Sequence, residues 1–101
     1  SVMDIVVSKE GARSVIAVEG RIDTNTSPKL DRLARDLHEK GSVDIVVDLA
    51  ECDYVSSAGL RVIVSMQKRA QVEGSLVFRN VSPDVKEVFE ETGFDAILSF
   101  E

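Results

Sequence analysis

The chain is poor in the residues that build covalent or metal-centred chemistry. Among 101 residues it has a single cysteine, Cys52, and a single histidine, His38. One cysteine excludes an internal disulfide and any cysteine-based zinc cluster. One histidine without ligands at suitable spacing gives no metal site. No GxGxxG or GxxxxGK[ST] pattern is present, so neither common phosphate cradle is available. The GxSxG elbow of serine hydrolases is missing as well, and no second histidine could complete a Ser-His-acid arrangement. No apolar run approaches the roughly 18–20 residues that span a bilayer. The opening "SVMDIVVSKE" carries an acid where a signal peptide would be basic, so a cytoplasmic protein is expected. Basic excess is lacking too. The net charge of −6, with both signs interspersed, argues against a nucleic-acid partner and against attraction to an anionic membrane.

What remains is an ordinary globular composition, 44% apolar and 30% charged. The length predicts one domain over residues 1–101 with one modest core. "MDIVVS" (3–8) and "SVIAVEGRI" (14–22) are β-branched runs separated by a glycine-containing turn, and they predict a hairpin. Gly20 marks a bulge or a close backbone approach. From residue 24 the period changes. Leu30, Leu33, Ala34 and Leu37 form one stripe of an amphipathic helix over 24–41, with Ser27 as cap, Pro28 in the first turn and Gly41 beyond its end. "VDIVVDL" (43–49) lacks alternation and predicts a strand buried on both faces, with 50–56 leading out of it. A second helix is expected from about Ser57 to Glu73, its core stripe drawn from Leu60, Ile63, Val64, Gln67 and Ala70 or Val72. "SLVF" (75–78) is a further strand. A third helix follows over 82–93, capped by Ser82 and stopped by Gly93, with Val85, Val88 and Phe89 inward. Residues 94–100 fit a strand or a helical turn. The order predicts an α/β fold: a small mixed sheet, mostly parallel, with an opening antiparallel hairpin and helices packed against it.

Few side chains in this frame could carry chemistry. His38 reads as a solvated residue that complements the helix C-terminus. Cys52 reads as a small buried hydrophobe. Asp23, Asp44, Asp48, Glu51 and Asp53 sit at strand ends or loops, where ligands gather in parallel sheets, yet such acids are mostly solvated. The stretch "SSAGL" (56–60) supports two readings. In one, Ser56 or Ser57 caps the second helix while Ala58 and Gly59 let its first turn lie close to the sheet. In the other, one serine accepts a phosphoryl group. Unpaired N–H groups at a helix start tolerate it, and its charge alters a surface without destroying the fold.

"VDIVVDLAECDYVSSAGLRVIV" (43–64) resembles the signature of STAS domains of the bacterial anti-sigma-factor antagonist type, and "VEGRIDTNTSPKL" (18–30) resembles that family's second recurrent stretch. The resemblance spans essentially the whole chain. It implies a non-enzymatic, cofactor-free partner switch. Unphosphorylated, such a protein binds an anti-sigma factor that is also a GHKL-type serine kinase, which frees a sigma factor. Serine phosphorylation breaks the complex, and a PP2C-type phosphatase restores it. The match places Ser57 at the phosphoacceptor position, with Ser56 as runner-up; many members carry Asp where Ser56 stands. Asp23, Asp53, Tyr54, Ser56, Ser57, Arg61, Ser65 and Lys68 are then the expected partner-binding residues. The alternative within the same family is an accessory subunit of a membrane lipid transporter, or a stress-signalling scaffold, without a phospho-switch.

Overall fold

A computed structural model describes residues 3–101. Its opening hairpin joins β1 (Met3–Glu10) to β2 (Arg13–Ile22), which are antiparallel and in unbroken register from Met3↔Gly20 to Glu10↔Arg13. The connection is only Gly11 and Ala12, and Gly11 takes the positive φ of 63° that a two-residue turn demands. Three crossovers follow: α1 (Ser27–Glu39) leads to β3 (Asp44–Val55), α2 (Ser57–Val72) to β4 (Ser75–Arg79), and α3 (Pro83–Thr92) to β5 (Ser99–Phe100). β2 through β5 are parallel, and the five strands lie side by side in chain order. Each crossover steps one strand in the same direction, so the right-handed rule puts all three helices on one face. The expected mixed α/β sheet is therefore present.

The core lies between that face and the helices. Ile16, Val18, Ile22, Ile45, Val47, Leu49, Leu76 and Phe78 of the sheet meet Leu30, Ala34, Leu60, Ile63, Met66, Val85 and Phe89 of the helices. The other face carries no helix, yet Val46 is fully buried and Val15 nearly so. Their roof is an ion-pair quartet. Arg79 on β4 forks onto Glu10 at the end of β1 (2.9 and 3.0 Å) and also reaches Glu101 (2.8 Å); Arg13 on β2 reaches Glu101 (3.0 Å) and pairs with Glu10. The long stems must cross the intervening strands to make these pairs, which is how charged side chains come to shield apolar ones.

Five details depart from the sequence reading. β3 does not end near residue 49 but runs to Val55. Its register with β2 shifts twice, between Ala17 and Glu19 and between Gly20 and Arg21. Each shift inserts one extra residue in β3, so the inward positions run 45, 47, 49, 52, 55, and the period-2 signal is lost. Gly20, at φ 105°, lies at the second shift, as its position in the sequence suggested. The N-cap of α1 is Thr26, not Ser27; the Thr26 hydroxyl serves the preceding loop and makes no cap bond. Ala70 closes the α2 stripe against the core and Val72 is exposed; Met66 joins the stripe, while Val64 faces the groove and Gln67 is only half-buried, so neither belongs to the core. Residues 94–100 use both predicted forms, a 3-10 turn at Phe94–Ala96 and then β5. His38 is half-buried and its Nε2 lies 2.9 Å from the Glu73 carbonyl, bridging the ends of α1 and α2 instead of standing free in solvent.

Candidate partner-binding and phosphoacceptor site

The C-terminal ends of the parallel strands gather at one edge, where open α/β sheets usually bind their ligands. There β2 ends in Ile22 and β3 in Val55, paired in register. The Ile22 carbonyl accepts the Ser56 amide (2.8 Å), which ties the start of α2 to the end of β2. Ser56 is the N-cap: its backbone is extended and its hydroxyl accepts from the Gly59 amide at 3.2 Å. Satisfying one orphan donor at a helix start in this way is worth about 1 kcal/mol. Ser57 is the first helical residue. It is exposed, and its hydroxyl has no hydrogen-bond partner among the described residues. The two adjacent serines therefore have different work. Ser56 holds the helix, and Ser57 projects from it.

Gly59 explains how close α2 sits. A Cβ there would lie 2.8 Å from Ile22 Cγ2, 2.9 Å from Val55 Cγ1 and 3.0 Å from the Ile22 carbonyl oxygen. Any side chain would lift the first turn, and both serines with it, off the sheet.

The remaining expected residues fall into two groups. Asp23 organises the β2–α1 loop. Its Oδ1 accepts from the amides of Asn25 (2.9 Å) and Thr26 (3.0 Å), and Thr26 Oγ1 in turn donates to the Arg21 carbonyl (2.6 Å). This is an Asx turn, so the carboxylate is half-buried and structural. Asp53 and Tyr54 lie exposed on the irregular end of β3. Arg21 is a residue that sequence reasoning missed. Its guanidinium sits 4.2 Å over the Tyr54 ring and its Nε 3.8 Å from Asp23 Oδ2. Arg21 and Tyr54 are cross-strand neighbours in register. Only the long β3 brings them together, so no local signal could have found the pair. The guanidinium thus covers one face of the Tyr54 ring.

Along α2, Arg61 and Lys68 are exposed beyond Ser57, while Ser65 is half-buried and accepts from Arg69 Nη1 at 3.0 Å. Arg61, Ser65 and Lys68, with Leu60, Val64 and Phe94, line a shallow groove. Ser57, Arg61 and Lys68 thus share one face of the helix, while Asp23, Asp53 and Tyr54 lie on the adjoining loops.

Asp44, Asp48 and the thiol have structural employment. Asp48 accepts from the Ala50 amide and from Asn80, and Asp44 from Ser75. Cys52 is buried, and burial pushes its thiol pKa up, which keeps it protonated and unreactive. Among the described residues no group of acids, histidines and cysteines could hold a metal ion, and no helix is long and apolar enough to cross a membrane.

The fold is a mixed sheet with helices on one face, and two adjacent serines, one of them the cap, open its second crossover helix. The chain belongs to the STAS domain family: the family model described as "Mlab, STAS domain" matches residues 5–99. Among its relatives is BtrV of Bordetella bronchiseptica, named as an anti-sigma factor antagonist, 34% identical over 97 residues that cover 95% of this chain and 84% of that protein. Two solved structures share the fold. One is an anti-sigma factor antagonist from Thermotoga maritima (TM-score 0.89, 17% identity, 95% of this chain and 84% of that one). The other is the Bacillus cell fate determinant SpoIIAA in its phosphorylated form (TM-score 0.75, 16% identity, 97% and 91%).

Proposed function

We propose that this chain is a cytoplasmic anti-sigma factor antagonist that works by partner switching. Unphosphorylated, it binds an anti-sigma factor that is a serine kinase of the GHKL type, and a sigma factor is released. Phosphorylation of Ser57 breaks that complex, and a PP2C-type phosphatase reverses it. The observation that carries this reading is the division between the serines: Ser56 supplies the cap bond, so the exposed Ser57 hydroxyl is available for modification. A phosphate on Ser57 would add about −1.5 to −2 charge units beside the free amides of the helix start, where the fold tolerates it. It would also change the surface shared with Arg61, Ser65 and Lys68, and with Asp23, Asp53 and Tyr54 on the adjoining loops. That surface is the one the partner would cover.

Incubation with the cognate kinase and ATP, followed by peptide mass spectrometry, is expected to place one phosphate on Ser57. Ser57→Asp should weaken kinase binding by tenfold or more, on the order of 1.4 kcal/mol, and leave the thermal midpoint nearly unchanged. A phosphate on neither Ser57 nor Ser56 would overturn the switch and leave the transporter-subunit or scaffold reading of the same surface.

A further inference from the structure

The sheet has two outer edges, and they differ. β5 is two residues long, whereas β1 runs for eight residues without a bulge or a proline. No described strand pairs with its outer side. Two adjacent valines lie on it, Val6 at 53% and Val7 at 43% exposure, one on each face of the sheet. Natural proteins usually blunt such an edge with a bulge, a proline, an inward charge or a short strand. The ends of β1 carry charge, in Asp4, Lys9 and Glu10, but its middle, residues 5–8, has none of these devices.

The hairpin fixes which backbone groups are free. In a two-residue connection the closing pair, Glu10 and Arg13, exchanges hydrogen bonds across the turn. Pairs then alternate along the ladder, so residues 4, 6, 8 and 10 bond inward to β2. Residues 3, 5, 7 and 9 point their N–H and C=O groups outward.

We infer that this chain pairs with a second copy of itself through the outer edge of β1, forming a continuous ten-stranded sheet across a two-fold axis. The strand's own sequence supports a copy of this chain as the occupant. An isologous antiparallel pair keeps the helices of both subunits on one side only when paired residues share a face, so their numbers must sum to an even value. With the axis at Val6, Val6 faces Val6 and Ile5 faces Val7 twice. Asp4 meets Ser8, Met3 meets Lys9, and no like charges oppose. The hydrogen-bonding residues 5 and 7 match each other across the axis. Moving the axis to Val7 would set Asp4 against Glu10, a repulsive pair. The same pattern thus supplies the attraction and disfavours the register shifted toward Val7.

This inference goes beyond the proposed switch and does not depend on it, because it rests on the outer edge of β1 and uses neither Ser57 nor the α2 groove. A dimer would present two switch surfaces at once and raise the effective concentration for any bivalent partner.

The test is the oligomeric state of the purified chain, measured by sedimentation velocity and light scattering over a micromolar to millimolar series. Two variants accompany it. Val6→Lys sets two ammonium groups face to face at the axis. Val7→Pro removes an outward N–H and leaves the β1–β2 ladder bonded. Wild type is expected to reach the mass of two chains. Both variants are expected to stay monomeric, or to dissociate at least about tenfold more readily, with circular dichroism unchanged. A wild-type chain that remains monomeric throughout the series overturns the inference. So does a dimer that persists at wild-type strength in either folded variant.

Discussion

Gly59→Ala is the substitution that measures how tightly α2 is seated. The added methyl meets three groups that cannot retreat easily. Ile22 Cγ2 at 2.8 Å belongs to a fully buried side chain, and Val55 Cγ1 at 2.9 Å to one that is nearly so. The third, the Ile22 carbonyl oxygen at 3.0 Å, already accepts the Ser56 amide at 2.8 Å. Relief requires α2 to move outward, and that movement stretches the bond which anchors the cap. Overpacking of this kind costs about 1–3 kcal/mol. Against it stands the helix propensity gained by replacing glycine with alanine, at most about 1 kcal/mol and less in a first turn. The net expectation is destabilisation by about 1–2 kcal/mol. For a domain of this size each kcal/mol lowers the thermal midpoint by about 4–8 °C. Urea and thermal unfolding followed by circular dichroism read this directly. A variant as stable as wild type, or more so, would refute the argument that α2 is pressed against the ends of β2 and β3.

The serines offer a sharper contrast. Ser56→Ala removes the cap bond to Gly59 and should cost about 1 kcal/mol. Ser57→Ala removes an exposed hydroxyl without a hydrogen bond and should change stability by less than about 0.5 kcal/mol; equal losses in urea titrations would contradict the division of roles. The quartet on the open face predicts a pH dependence. Hydrogen bonds from Arg79 and then Arg13 hold the Glu10 carboxyl at about 2 instead of 4.5, and those from Arg13 and Arg79 lower Glu101 as well. A depressed folded-state pKa gives stability that is complete above the unfolded value and lost as pH falls toward the folded one. Unfolding at pH 7 and pH 3 should therefore show a loss at pH 3. That loss should shrink in Glu10→Gln and in about 1 M salt, because these side chains are solvent-accessible and screened. An undiminished acid loss in Glu10→Gln would place its origin elsewhere.

How much of this was legible in the sequence depends on whether the relevant order is local. α2 and α3 were readable to within a residue, because capping serines, Pro83 and the glycine after α3 act through neighbours in the chain. The hairpin was readable from two β-branched runs around Gly11. The far half of β3 was not. Two extra residues break its alternation, and what keeps 50–55 extended is pairing with β2, some thirty residues away. Everything that depends on that pairing was hidden with it, including the stacking of Arg21 on Tyr54. The cap of α1 was misplaced for a related reason. The Thr26 hydroxyl is drawn back to the Arg21 carbonyl, so the helix begins where loop geometry, not cap preference, sets it. His38 looked solvent-facing because nothing nearby in sequence announces the Glu73 carbonyl that it meets. The sequence "SSAGL" left either serine able to cap, and only the 3.2 Å bond of Ser56 shows which of them does.

The irregularity of β3 also bears on how the proposed switch could be built here without weakening the domain. Regular pairing along β2 would have ended the strand two residues earlier relative to Ile22. The inserted residues let Val55 reach Ile22 while Asp53 and Tyr54 stay at the surface, so the chain arrives at Ser56 directly over the end of β2. There the Ile22 carbonyl and the missing Cβ of Gly59 fix the first turn of α2, and the cap is completed by Ser56 alone. Stability is thereby assigned to Ser56, Gly59 and Ile22, and Ser57 bears none of it. A serine that also capped would couple every modification to helix stability, and the modified protein would be a partly unfolded one. If Ser57 is the acceptor proposed above, charge placed on it would alter a surface and leave the scaffold intact, which is the physical requirement of a reversible partner switch.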